Sequence, residues 1–176
     1  VFLNADLTRR LAYPEAEIAE ASASIERGRA LYERLGSIPV YTCAPYLIHP
    51  MRRGEHLGTA ESGMVLLYNS IVGAMVNRET GPTALAAALT GKVPCYGMHL
   101  PENRLGQVLI RLKDDVDAHS FTKTEYAALS YYVGPLAGDR IPVFVGLPDT
   151  ISLNNLRYLS ASLSVSAGLQ IGRAHV

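Results

Sequence analysis

Chemistry-bearing side chains crowd into one stretch of this sequence, Tyr41 to Arg104, which holds both cysteines and three of the five histidines. A thiolate at Cys43 can ligate a metal or cluster, act as a nucleophile, or pack as a small hydrophobe. His49 and His56 flank Arg52 and Arg53, a set suited to an anionic substrate and equally to plain solvent exposure. Glu55 and Glu61 are candidate acid–base groups, and Glu61, beside Ser62 at a helix start, also complements the helix dipole. Asn69, on an apolar helix, needs partners if buried, from a structural network or from a substrate. The run Asn77-Arg78-Glu79-Thr80-Gly81-Pro82 sets a forked Arg donor beside the N–H groups of a helix start. That combination suits a carboxylate or phosphate, or a loop tied by an Arg–Glu pair. Cys95 lacks a CxxC partner and zinc-like spacing to Cys43, and reads as structural. Gly-x-Gly phosphate fingerprints and HExxH are absent from the sequence.

The elements that must position these groups alternate between strand and helix. Residues 14–35 predict a helix with Pro14 at its first position, Glu15, Glu17 and Glu20 near its start, and Gly36 as its stop. Ile38–Thr42 predicts a short strand whose carboxyl end carries Cys43, where open α/β sheets bind ligands. Pro45, Pro50, Gly54 and Gly58 predict a loop up to Thr59. A buried helix then runs to about Val76, followed by a loop and a short helix from Pro82 to Leu89. The small side chains Ala84–Ala88 let that helix sit close to a neighbour or a ligand. Gln107–Arg111 and Ile141–Val145 predict strands. Thr122-Lys123-Thr124-Glu125 is a capping box opening a helix that ends near Gly134-Pro135 or Gly138. Residues 152–163 predict a further helix, and Leu163–Val165 the start of another strand. The pattern is that of a three-layer αβα fold.

Length and composition bound the function classes. A chain of 176 residues suits one domain with a real core, and 48% apolar against 18% charged residues excludes a disordered chain. Sixteen basic residues balance sixteen acidic ones, so nothing in the charge points to nucleic acid as the main partner. No apolar run is long enough to cross a bilayer. Two cysteines make no disulfide framework, and a soluble, reducing, cytoplasmic setting is expected. The ends look unnatural: Val1-Phe2-Leu3 begins as though mid-element, and Ile171–Val176 resembles translated sequencing adapter. The expectation is a piece of a longer chain, native to about residue 170, with 171–176 a non-native tail.

The runs TCAPYL, RRGEH, AESGMVLLYNSIVGAMVNRETGPTALAAALTG and YGMHLPENR resemble the catalytic (large) domain of the aconitase X family. That family contains the large subunit of phosphomevalonate dehydratase and cis-3-hydroxy-L-proline dehydratase. The likeness continues through TEYAALSYYVG and GDRIPVFVGLP and so covers nearly all of residues 1–170. It implies an aconitase-like domain, present in part, of an iron–sulfur hydro-lyase that removes water from a hydroxy acid such as 5-phosphomevalonate or cis-3-hydroxy-L-proline. It implies that Cys43 ligates the cluster, with the other cluster cysteines outside this chain, and that this piece alone is inactive. It also implies a small-molecule carboxylate substrate and a smaller swivelling subunit or domain as partner.

Glu61, Ser62, Asn69, Asn77 and Arg78 match the family pattern and are the expected substrate-binding residues; the base is not assigned. The chain departs from that pattern at Gly63, where a second serine is common, at Thr80, where glycine is common, and at Cys95, where an acidic residue is more usual. Two other readings stand beside the hydro-lyase. One is a cluster-free hydrolase using Cys43 with His49 or His56. The other is a non-catalytic binding module for an anionic small molecule.

Overall fold

The computed structural model describes residues 5–166 and 172–173, with side chains from Thr8 to Ser166. The chain divides into two units, residues 1–45 and 46–176, and each is described by itself.

The first unit holds α1 (Ala5–Arg10) and α2 (Glu15–Arg34). Pro14 is the N-cap residue of α2, one position outside the expected one, with φ −58° and ψ 135°. Proline suits that place because it has no N–H to leave unpaired. Glu15 and Glu17 occupy the first turn and Arg34 the last, each favoured by the dipole. Arg29 bridges Glu26 and Glu33, the latter at 2.6 Å, on the exposed face.

The strand expected at 38–42 does not form. The Val40 N–H closes a tight turn onto the Ile38 carbonyl at 3.0 Å, Tyr41 has φ +47°, and Ile38 is 82% exposed. A short apolar run becomes a strand only when a neighbour pairs with it, and none of the described residues does. Cys43 therefore lies in an irregular, exposed segment and not at a strand end.

The second unit is built from parallel strands joined by helices. In order these are β1 (His56–Thr59), α3 (Ser62–Leu67), β2 (Met75–Arg78), α4 (Gly81–Thr90), β3 (Val108–Arg111), α5 (Lys123–Ala137), β4 (Pro142–Val145), α6 (Leu153–Ser166) and β5 (Gly172–Arg173). β1 pairs with β2, His56 opposite Met75 and Thr59 opposite Arg78. β3, β4 and β5 form a second parallel sheet in that order.

Two strands were not expected. β1 lies inside the predicted loop, and β2 begins within the predicted helix. The run Ala74-Met75-Val76 reads equally as helix or strand by hydrophobicity. What separates them is Gly73, whose φ of +77° takes the left-handed region that ends a helix. Between α3 and Gly73 the chain makes one π-helical turn, Tyr68–Val72. Leu163–Val165, expected to start a strand, continues α6 instead. Of residues 171–176, only Gly172 and Arg173 are described, as backbone paired with β4.

The expected capping box is present at α5: Thr122 Oγ1 accepts from the Glu125 N–H, and Glu125 Oε2 accepts from the Thr122 N–H at 2.6 Å. Pro135 lies inside α5, which runs on to Ala137 with Gly138 as its cap. One core joins Leu66 of α3 with Tyr126, Val133 and Ala137 of α5, Phe144 of β4, and Leu159 and Leu163 of α6. A second joins Met64, Val65 and Tyr68 with Ala74 and Val76. Each large apolar side chain so buried contributes about 1.5–3 kcal/mol before entropy is counted.

The β1–β2 sheet is the middle of three layers. Leu57 and Val76 face the α3 cluster. Side chains alternate along a strand, so Gly58 and Asn77 face the other way, toward α4 and the Tyr96–His99 turn. The expectation that small side chains allow a close approach holds here. A Cβ at Gly58 would lie 2.8 Å from Ala87 Cβ and 3.5 Å from Ala84 Cα.

Gly58→Ala should therefore cost about 1–3 kcal/mol by overpacking, read as a lower urea midpoint. Adding Ala87→Gly should return most of that loss. A single variant as stable as the parent would mean that α4 does not rest on β1.

Candidate functional site

β1 and β2 are parallel, so Ala60–Ser62 and Glu79–Gly81 leave the sheet side by side. The Glu79 N–H donates to the Thr59 carbonyl at 3.0 Å, extending the ladder by one step. Each segment opens a helix, α3 and α4. This is the carboxyl edge of a parallel sheet, the end at which α/β proteins place ligands.

Of the four expected site residues on β2 and the start of α3, three lie at that edge. Glu61 is the N-cap residue of α3 and accepts from the Gly63 N–H at 3.4 Å. Ser62 follows it, half-buried. Arg78 is exposed, and its Nη2 donates to the Ser164 carbonyl of α6 at 3.0 Å. No Arg78–Glu79 pair ties the loop among the described residues; the α6 carbonyl anchors the guanidinium instead. Thr80 caps α4 reciprocally with Thr83, the Thr80 N–H reaching Thr83 Oγ1 at 2.9 Å. With Pro82 lacking an N–H and the Thr83 N–H turned to Thr80 Oγ1, much of the donor set expected at this helix start is already used.

Asn77, the fourth, is 5% exposed and points away from the edge. Its Nδ2 donates to the Tyr96 carbonyl at 3.0 Å, and its Oδ1 accepts from the Met98 N–H at 2.7 Å. The turn it holds includes Gly97 at φ +59°, where a Cβ would come within 2.5 Å of Asn77 Oδ1. Asn69, 3% exposed, does similar work from the π-helical turn. Its Nδ2 donates to the Val76 carbonyl at 2.7 Å, and its Oδ1 accepts from the Val76 N–H at 3.0 Å. Of the two uses weighed for Asn69, the structural network is the one formed.

Arg104 completes the network and was missed by sequence reasoning. Its Nη1 donates to Asn69 Oδ1 at 2.8 Å and to the Met98 carbonyl at 3.0 Å, and its Nη2 to the Asn69 and Ala74 carbonyls, both at 3.0 Å. Burial pulls its basicity down. Its position within YGMHLPENR was the only signal in the sequence.

The network fixes a second feature that sequence reasoning missed. His99 is 4% exposed, and its Nδ1 stands 3.0 Å from Nδ1 of the exposed His56. His99 Nε2 is buried with no hydrogen-bond partner. Burial holds His99 below the ordinary histidine range; His56 and Arg104 add to this, and the Glu79 carboxylate opposes it.

Cys43 belongs to the first unit, and Cys95, expected to be structural, is free and exposed in the second. Among the described residues no group of three or more His, Cys, Asp or Glu is placed to hold a metal ion. A cluster bound by three or four thiolates is not built from this chain's donors alone. Among the described residues, no helix is long and apolar enough to cross a membrane.

Asn69→Leu should leave the Val76 N–H and carbonyl unpaired in the core, at a cost of about 2–3 kcal/mol, with faster hydrogen exchange at Val76. Unchanged exchange there would remove Asn69 from the network. For His99 the unfolded value is about 6.5 and the folded one lies below it. Between the two, the unfolded chain binds a proton that the folded chain does not. Stability should therefore fall as pH drops below about 6.5, and His99→Gln should flatten that fall. Equal acid sensitivity of both proteins in urea titrations would contradict the assignment.

The sequence profile of the Aconitase X first domain matches residues 5–102. The phosphomevalonate dehydratase large subunit of Methanocaldococcus jannaschii is 42% identical over 136 residues, 76% of this chain and 34% of that protein. The cis-3-hydroxy-L-proline dehydratase of Hypocrea jecorina is 39% identical over 149 residues, 81% of this chain and 24% of that protein. A crystal structure of Thermococcus kodakaraensis aconitase X in its holo-form matches with a TM-score of 0.74 at 36% identity, covering 82% of this chain and 36% of that one. The chain spans about a third of the length of the first of these relatives. The expected aconitase-like α/β fold and the motif resemblance both hold, and the chain belongs to the aconitase X family.

Proposed function

We propose that this chain is part of the catalytic large domain or subunit of a hydro-lyase that removes water from a small hydroxy acid. The observation that carries the reading is the carboxyl edge of the parallel β1–β2 sheet, where Glu61, Ser62 and Arg78 lie, in a chain of a family whose named relatives are dehydratases. Arg78 would grip the substrate carboxylate or phosphate with the guanidinium donors that Ser164 does not use. Ser62 would add a hydroxyl contact and Glu61 a carboxylate at the mouth of α3. Asn69 and Asn77 would act behind them by holding β2 and the Tyr96–His99 turn in place. The proposed substrate is a phosphomevalonate such as 5-phosphomevalonate, after the name of the first relative above, with cis-3-hydroxy-L-proline as the alternative. An iron–sulfur cluster would supply a Lewis acid for the departing hydroxyl when bound. Cys43 is the thiolate this chain would offer to it, the remaining ligands coming from the rest of the enzyme. A small subunit or domain completes the proposed assembly.

The full-length enzyme with its small subunit, reconstituted anaerobically with iron and sulfide, should convert one of the two acids to a product lighter by one water. Arg78→Lys, which keeps the charge but not the fork, should lower kcat/KM by about 10- to 100-fold. Cys43→Ser should lose bound iron and sulfide. Turnover of neither acid would reject the reading, and full iron content in Cys43→Ser would release Cys43 from its role.

A further inference from the structure

We propose that one strand and its crossover helix, from the part of the full-length enzyme that this chain does not span, fill both the free edge of β3 and the bare face of the β3–β4 sheet. The inference rests on packing alone and stands whichever acid is the substrate.

β3 and β4 are covered on one face. Val108 and Ile110 of β3 and Phe144 of β4 pack into the core with α5 and α6. Side chains alternate along a strand, so Leu109, Val143 and Val145 share the opposite face. None of the three belongs to either core cluster. Leu109 is 58% exposed, and Val143 and Val145 are half-buried. Parallel sheets carry helices on both faces, so this aliphatic face calls for a further layer. Arg111, the last residue of β3, can hold its charge at the rim of such a layer.

The outer edge of β3 is open as well. Among the described strands β3 pairs with β4 alone. The Val108 and Leu112 N–H groups reach the Ile141 and Val145 carbonyls at 3.2 and 3.0 Å, so the Leu109 and Arg111 N–H groups turn to the free edge. Val108-Leu109-Ile110 has no proline or charge to blunt that edge. Ile110 and Leu112 line a groove there with Leu129, Tyr132 and Leu136 of α5. A strand laid along β3 would pair with the Leu109 and Arg111 backbone and cover these side chains.

Handedness ties the edge to the face. β3, α5, β4 and α6 advance in one direction across the sheet, and right-handed crossovers put both helices on one face. A chain that returns from β4 or beyond to the outer side of β3 reverses that direction. Its right-handed crossover then lies on the opposite face, over Leu109, Val143 and Val145. β1 and β2 are already paired with each other. This chain spans 34% of the first relative above, which leaves about two thirds of a full-length enzyme to supply the segment. A second copy joined β3 to β3 about a two-fold axis would pair antiparallel and leave the Leu109 face open in both copies.

The test uses the full-length large subunit, with and without its small subunit. Hydrogen exchange at the Leu109 and Arg111 amides should be at least about 100-fold slower than at an unpaired amide, in the large subunit alone and at every protein concentration. Exchange at the unpaired rate would overturn the proposal. So would protection that appears only with the small subunit, or that is lost on dilution, since the strand would then come from a partner or a second copy. Leu109→Lys should lower the melting temperature of the full-length large subunit by about 5 °C or more, and Leu109→Met should change it little. A Leu109→Lys protein as stable as the parent would mean that no helix covers this face. Should Leu109→Lys fail to fold, exchange in the parent protein still decides.

Discussion

Buried backbone must be hydrogen-bonded, and in this protein three side chains meet that demand where the secondary structure cannot. The chain turns from α3 through a π-helical turn into β2 within a few residues, leaving carbonyls and N–H groups without regular partners. Asn69 bonds both polar atoms of Val76, Arg104 takes the carbonyls of Asn69, Ala74 and Met98, and Asn77 takes Tyr96 and Met98. Without these bonds β2 would have no fixed register against the Tyr96–Arg104 segment. A half-buried guanidinium is costly unless its donors are filled, and here four acceptors fill Nη1 and Nη2 of Arg104.

The same network also holds the edge of the β1–β2 sheet in place. A site is only as well defined as the groups behind it. Asn77 does not reach the carboxyl edge of the sheet, yet it fixes the strand that carries Arg78 and the turn that holds His99 against His56. Thr80 acts in the same sense for α4, where it supplies a cap in a position that glycine would leave without one. Arg78 itself is tethered to α6 through Ser164, so this edge of the sheet is tied to the larger core formed by α5, α6 and the second sheet.

Close approach is the other constraint. Gly58 lets α4 settle on β1, and Gly97 lets the Tyr96–His99 turn settle on Asn77. The two glycines let α4 and the Tyr96–His99 turn settle onto one face of the sheet, while Leu57 and Val76 fill the other. The three layers thus rest on few residues, most of them inside the stretch from Tyr41 to Arg104.

Much of this was legible in the sequence by itself. Periodicity and caps marked α2, α4, α5 and α6, since those signals act within a few residues of one another. Alternating apolar runs marked β3 and β4, and the ordered motifs carried the family. Pairing was not legible. Ile38–Thr42 has strand composition but no partner strand among the described residues, and His56–Thr59 has loop composition yet is a strand because β2 lies beside it. Nor could local sequence show that Arg104 folds back on Asn69, or that His99 meets His56 across 43 positions. Helix starts are decided by neighbours along the chain, whereas strand pairing and buried polar contacts are decided by neighbours in space, and only the tertiary structure brings those together.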